Sequence, residues 1–110
     1  MPILVATETT VLTVDAERGT VAQGNGLGDR PTCLTADRFA SGRAWCGTHR
    51  GGVFRTDDAA ASWRASGLAG QSITSITASP AQRDLVWVGT EPSEVWRSEN
   101  GGDSWEMVPG

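Results

Sequence analysis

Residues 98–105 run Ser98-Glu99-Asn100-Gly101-Gly102-Asp103-Ser104-Trp105, and 42 residues earlier Thr56-Asp57-Asp58-Ala59-Ala60-Ala61-Ser62-Trp63 fills the same frame. The match continues outward from these two stretches. Shifted by 42, residues 31–68 fall on 73–110 with ten identities in 38 positions, among them Trp45 on Trp87, Gly47-Thr48 on Gly89-Thr90, Val53 on Val95 and Arg55 on Arg97. Similar pairs lie between: Leu34 with Ile76, Phe54 with Trp96, Thr56 with Ser98, Asp58 with Asn100. Three aromatic pairs in register mark a structural repeat. A shift of 41 sets Ala6-Thr7 on Gly47-Thr48 and Leu12 on Val53, so residues 3–24 form an incomplete third copy.

Inside each copy the apolar pattern has period two, in short runs bounded by Gly, Pro, Asp or Ser. The last copy predicts strands over 72–78, 85–90, 94–99 and 104–108, and the middle copy over 31–37, 43–48, 52–57 and 62–65. The first copy supplies three, over 3–7, 10–14 and 20–22. No stretch carries an amphipathic helical stripe. A repeat of this length with four antiparallel strands is a β-propeller blade. The fold expected is therefore all-β, with a partial blade over residues 1–24 and blades over 25–68 and 69–110.

The two quoted segments resemble the Asp-box, or BNR repeat, whose pattern is Ser/Thr-x-Asp-x-Gly-x-Thr/Ser-Trp. Thr56, Asp58, Ser62 and Trp63 take the pattern's places in one segment; Ser98, Asn100, Gly102, Ser104 and Trp105 take them in the other. Ala60 stands where the pattern has Gly, and the first copy keeps only Glu17 and Gly19 of it between Asp15 and Ala22. The resemblance covers nearly the whole chain. It implies the sialidase-like β-propeller fold, shared by sialidases, photosystem assembly factors and sortilin-type receptors, with the box on the opposite face from the binding site. The role it implies for the box is structural: short polar side chains bond their own backbone, and the Trp buries a large apolar surface beneath the turn. Ala60 would be strained by a positive φ there.

Composition narrows the function. The chain has 110 residues, 38% apolar, with 14 glycines and a net charge of −4, which disfavours nucleic acid as a partner. No apolar run approaches a membrane span, and no basic segment precedes a secretory core, so a cytoplasmic protein is expected. All nine basic residues are Arg, and Tyr is absent. The sialidases that the boxes resemble use a Tyr nucleophile, an Arg triad and a Phe/Tyr-Arg-Ile-Pro motif, of which Asp29-Arg30-Pro31 is a faint echo, so sialidase catalysis by this chain alone is not expected.

Recurrence separates architecture from chemistry, because a catalytic group is needed once. By that test the five Trp, Arg55 and Arg97 are structural. Cys33 and Cys46 do not recur, and on adjacent strands they read as two buried thiols rather than a disulfide. No metal and no cofactor is implied: one acid per box is too few hard ligands for calcium, and the Cys residues with His49 lack zinc spacing. The non-recurring polar residues collect in links expected on one propeller face. Glu8 belongs to them, and the candidate ligand-binding set is Asp29, Arg30, His49, Arg50, Glu91 and Glu94. Glu91 and Glu94 could form an acid-base pair for glycoside hydrolysis.

Closed propellers have about four to eight blades, and about two and two-thirds are present. The open blade ends are expected to be covered by the chain itself, with a head-to-tail dimer favoured, or by the remaining blades of a longer propeller. The function expected is a non-enzymatic binding or scaffolding module for a protein or glycan ligand. The alternatives are part of a glycoside-hydrolase-like enzyme with its catalytic residues elsewhere, or a self-assembling structural unit.

Overall fold

A computed structural model of the chain describes residues 2–7, 10–15 and 20–109. Among these residues eleven strands form three antiparallel sheets and there is no helix, so none is long and apolar enough to cross a membrane. Sheet 1 holds β1 (Pro2–Ala6), β2 (Val11–Asp15) and β3 (Thr20–Gln23). Sheet 2 holds β4 (Pro31–Ala36), β5 (Ala44–Thr48), β6 (Val53–Thr56) and β7 (Arg64–Gly67). Sheet 3 holds β8 (Ser72–Ala78), β9 (Val86–Glu91), β10 (Val95–Ser98) and β11 (Glu106–Val108). Each is a meander paired in chain order, the form of a propeller blade, and the three do not close into a ring.

Successive side chains of a strand point to opposite faces, and here that alternation sorts the core into two layers. Ala44 and Cys46 of β5 face sheet 1 with Val11, Phe54, Ala60 and Trp63. Trp45 between them faces sheet 3 with Val53, Ile73, Ile76, Val86 and Val88. Sheet 2 is thus covered on both faces, and every residue of β5 is buried. In β9, Val86 and Val88 are buried against sheet 2 while Trp87 between them is only half-buried. Burying a side chain such as Val53 or Ile73 stabilises by about 1.5–3 kcal/mol, so the layer between sheets 2 and 3 carries much of the fold. The strands that bring these sheets together are β4, β5 and β8, with β4 and β8 innermost; between sheets 1 and 2 it is β1 that approaches β4.

Two expectations need correction. The outer strands begin two residues later than the pattern suggests, at Arg64 and Glu106, because Ser62 and Ser104 still donate backbone N–H groups to Asp58 and Asn100. The mate of Val53 in sheet 1 is Val11, not Leu12: Ala6 pairs with Val11 as Gly47 pairs with Val53, across a link one residue shorter. Cys33 and Cys46 are both free thiols, and not directly opposite. Cys33 pairs with Gly47 and Leu34 with Cys46, so the sulfurs fall in different core layers. Burial raises both thiols, Cys46 to about 12, which leaves them inert as nucleophiles at neutral pH. Glu8 and residues 16–19 of the first copy lie outside the described residues.

Candidate functional site

The links between strands divide between two edges of the sheets. On one edge the β5–β6 link meets the links that enter sheets 2 and 3: His49 N donates to Arg30 O at 3.0 Å and Gly52 N to Gln71 O at 3.3 Å. On the other edge the β6–β7 turn meets the β4–β5 link, with Ala59 N donating to Gly42 O at 2.9 Å. The β10–β11 turn likewise meets the β8–β9 link, with Gly101 N donating to Asp84 O at 2.9 Å.

Four of the six candidate ligand residues come together on the first edge. The Asp29 carboxylate accepts from Arg50 N at 2.6 Å and Gly51 N at 2.9 Å. These bonds, Arg50 N–H first among them, hold its pKa below the usual carboxylate range. Asp29 therefore acts as a fastener, while Arg30, His49 and Arg50 stay exposed. Glu94 sits in the equivalent link of the next sheet, whereas Glu91, expected in that link, ends β9 and pairs with Ser72. Thr90 braces that link, its N–H donating to Glu94 O at 3.0 Å and its hydroxyl to Pro92 O at 2.8 Å. Glu91 is exposed; Glu94 is half-buried and lines a groove on the outer face of sheet 3. No hydrogen bond or ion pair joins these two acids to the Asp29 cluster among the described residues.

The opposite edge carries the box-like segments. Thr56 Oγ1 donates to Asp58 Oδ1 at 2.8 Å and accepts from Ala60 N at 3.0 Å, while Asp58 accepts from both the N–H and the hydroxyl of Ser62. Ser98, Asn100, Gly102 and Ser104 repeat that network, with Asn100 Nδ2 donating to Ser104 Oγ at 2.8 Å. The indoles tie neighbouring sheets together: Trp45 Nε1 donates to Gly101 O at 2.9 Å and Trp105 Nε1 to Ser66 O at 3.0 Å. Arg55 also reaches Gly101 O, at 3.1 Å, and Arg97 lies over the Trp87 ring at 5.5 Å. Trp96 packs into the layer between sheets 2 and 3.

One polar feature escaped the sequence reading. Arg43 bridges Asp37 and Asp84 of successive sheets and lies over Trp45 at 5.3 Å. Burial opposes its charge, but the bonds to Asp37 and Asp84 outweigh that and raise its pKa. Arg43 falls on Leu85 in the repeat, so recurrence gave no hint of a structural role. No group of three or more His, Cys, Asp or Glu residues could hold a metal ion among the described residues.

No protein-family profile and no curated protein matches the chain. Similarity to solved structures does define the architecture. An ancestral GH74 enzyme matches with a TM-score of 0.83 at 18% identity, over 97% of this chain and 16% of that one. YCF48 bound to D1 peptide matches with a TM-score of 0.62 at 16% identity, over 100% of this chain and 30% of that one. YCF48 from Cyanidioschyzon merolae matches with a TM-score of 0.59 at 18% identity, over 100% and 27%. Both are β-propeller proteins, and this chain has the fold of propeller blades. It spans less than a third of the length of each.

Proposed function

We propose that the chain is a non-enzymatic binding and scaffolding module, gripping a protein or glycan ligand on the edge that carries Asp29, Arg30, His49, Arg50, Glu91 and Glu94. The observation that carries this reading is the Asp29 fastener, which fixes a link and leaves three cationic or polar side chains free. Preorganised loops on rigid sheets are a common binding design. That one similar structure is of YCF48 bound to D1 peptide makes a protein segment the ligand class to try first. In this reading the segments at 56–63 and 98–105 are Asp-boxes that stabilise the far edge. The open sheets are then completed by self-association, as a head-to-tail dimer, or by further blades.

A peptide and glycan array probed with the full chain tests the proposal. Binding that falls roughly tenfold in Arg50→Ala, and again when Asp29→Ala unfastens the link, is the expected result. A second reading, part of a glycoside-hydrolase-like enzyme, draws on the likeness to the GH74 enzyme. Glycosidase turnover by the chain that Glu91→Gln or Glu94→Gln abolishes would replace the binding reading with this one.

A further inference from the structure

The contact between sheets 2 and 3 shows how one blade seats on the next in this chain. Gly47 leaves room for Ile73: a Cβ at position 47 would overlap the Ile73 side chain. The Thr32 hydroxyl donates to Ile73 O, and Val53 is fully buried in the same layer. The innermost strand β8 supplies Ile73 and, three residues on, Ile76, which is buried beside it.

The repeat places the same residues on the far side of sheet 3, where no other sheet among the described residues covers them. Thr74, Gly89 and Val95 stand in the positions of Thr32, Gly47 and Val53. Val95 is 45% exposed where Val53 is 0% exposed. A Cβ at Gly89 would meet only Ser75 and Thr74, with no counterpart of Ile73. The space left is a cavity of about 450 Å³ bounded by Thr74, Gly89, Thr90, Glu94, Val95 and Val108.

We propose that this face is a docking site for the innermost strand of a further propeller blade with the pattern of β8. A β-branched aliphatic residue sits over Gly89, its carbonyl draws the Thr74 hydroxyl away from Gly89 O, to which it donates at 3.1 Å in the uncovered face, and a second aliphatic residue follows three positions later. A second copy of the chain is the poorer fit. Its outward face on sheet 1, where Ile3 is 54% and Val5 40% exposed, begins with β1, the counterpart of β5. Sheet 1 has no counterpart of β4 or β8 among its described strands, so it would leave the cavity unfilled. The surface shares only Glu94 with the ligand edge proposed above, and its test is independent of that reading.

The probe is a synthetic peptide with the sequence of residues 69–79, titrated into the isotopically labelled full chain and followed by amide chemical shifts. Saturable shifts centred on Thr74, Gly89 and Val95 are expected. They should weaken at least roughly tenfold when the peptide carries Ile73→Asp, given the transfer cost of a charge into an apolar pocket. Gly89→Leu in the chain should block the site, and Val95→Asp, at an exposed position, should do so without disturbing the fold. Three results would each overturn the proposal: no saturable shift at millimolar peptide, equal binding of the Ile73→Asp peptide, or shifts confined to the link around Asp29. Concentration-dependent self-association that protects Val5 and Val95 and resists the peptide would also overturn it, in favour of a second copy.

Discussion

The turns at 56–63 and 98–105 share one hydrogen-bond network built from different residues. Thr56, Asp58 and Ser62 do in the first what Ser98, Asn100 and Ser104 do in the second. The backbone is left-handed in both, with Ala59 and Ala60 at φ 57° and 68° and Gly101 and Gly102 at φ 72° and 95°. Their surroundings differ more than their interiors. Sheet 2 clasps the second turn through Trp45, Arg55 and Ser66, whose hydroxyl donates to Gly102 O at 2.8 Å. Along the outer side of the first, backbone bonds lace the turn, with Asn25 N donating to Ala61 O at 3.0 Å and Trp63 N to Asn25 O at 2.7 Å. A turn clasped by side chains needs glycine, because they approach too closely for a Cβ. A turn laced by backbone tolerates alanine at the expense of strain.

Breaking the clasp should have the largest effect. Trp45 is 1% exposed, and Trp45→Ala removes both its packing and its bond to Gly101. A loss of about 3–5 kcal/mol is expected, comparable to the whole stability of a small domain. Trp45→Phe keeps most of the packing and should cost about 1–2 kcal/mol for the missing N–H donor. Urea unfolding of the two variants separates the contributions. If Trp45→Phe proves as damaging as Trp45→Ala, packing is not what the residue supplies.

Exchanging the left-handed residues comes next. A Cβ on Gly102 would overlap the Ser66 hydroxyl and stand 3.1 Å from Trp45 Nε1, so Gly102→Ala should lose at least about 2 kcal/mol. In the first turn the change runs the other way. Relief of left-handed strain is worth about 1–2 kcal/mol per residue, against about 0.5–1 kcal/mol for the added backbone freedom of glycine. Ala59→Gly should therefore gain about 0.5–1 kcal/mol. Ala60 is fully buried, and losing its methyl costs about a further 0.8 kcal/mol, so Ala60→Gly should be nearly neutral. Thermal midpoints of the three variants check the order; equal effects in both turns would refute the distinction between clasped and laced.

How much of this was legible depended on whether a residue answers to its own repeat. Trp45, Val53 and Arg55 recur at 87, 95 and 97, and from them the blades and the layer between sheets 2 and 3 could be read. The strain at Ala60 was legible too, since alanine stands in a glycine position. Arg43 was not, because its acid partners Asp37 and Asp84 lie on links of two sheets and only tertiary packing unites them. The Asp29 cluster was half legible: its residues were picked for not recurring, but that Asp29 would fasten Arg50 depends on the approach of residues 21 positions apart on two links. The one-residue offset that puts Val11 rather than Leu12 beneath sheet 2 reflects link length, to which a single apolar pair is blind.

The smallest expected effect lies in the acid limb of stability, and it distinguishes Asp58 from Asn100. Hydrogen bonds from the Ser62 hydroxyl and N–H, and from Thr56, hold the Asp58 carboxyl at about 2, against an ordinary value of about 3.9. Because the folded value is the lower one, Asp58 contributes stability that is complete above about pH 4 and is lost as pH falls toward about 2. The side chain is exposed, so solvent screens the effect. Asn100 makes the equivalent bonds without a charge, and its turn should show no such slope. Asp58→Asn should therefore flatten the fall in stability between about pH 4 and pH 2 relative to the parent chain, while Asn100→Asp should steepen it. Urea midpoints across that interval supply the test. An Asp58→Asn chain that keeps the full acid slope would mean the loss comes from other carboxylates, with Asp29, also lowered by backbone N–H donors, the first to examine.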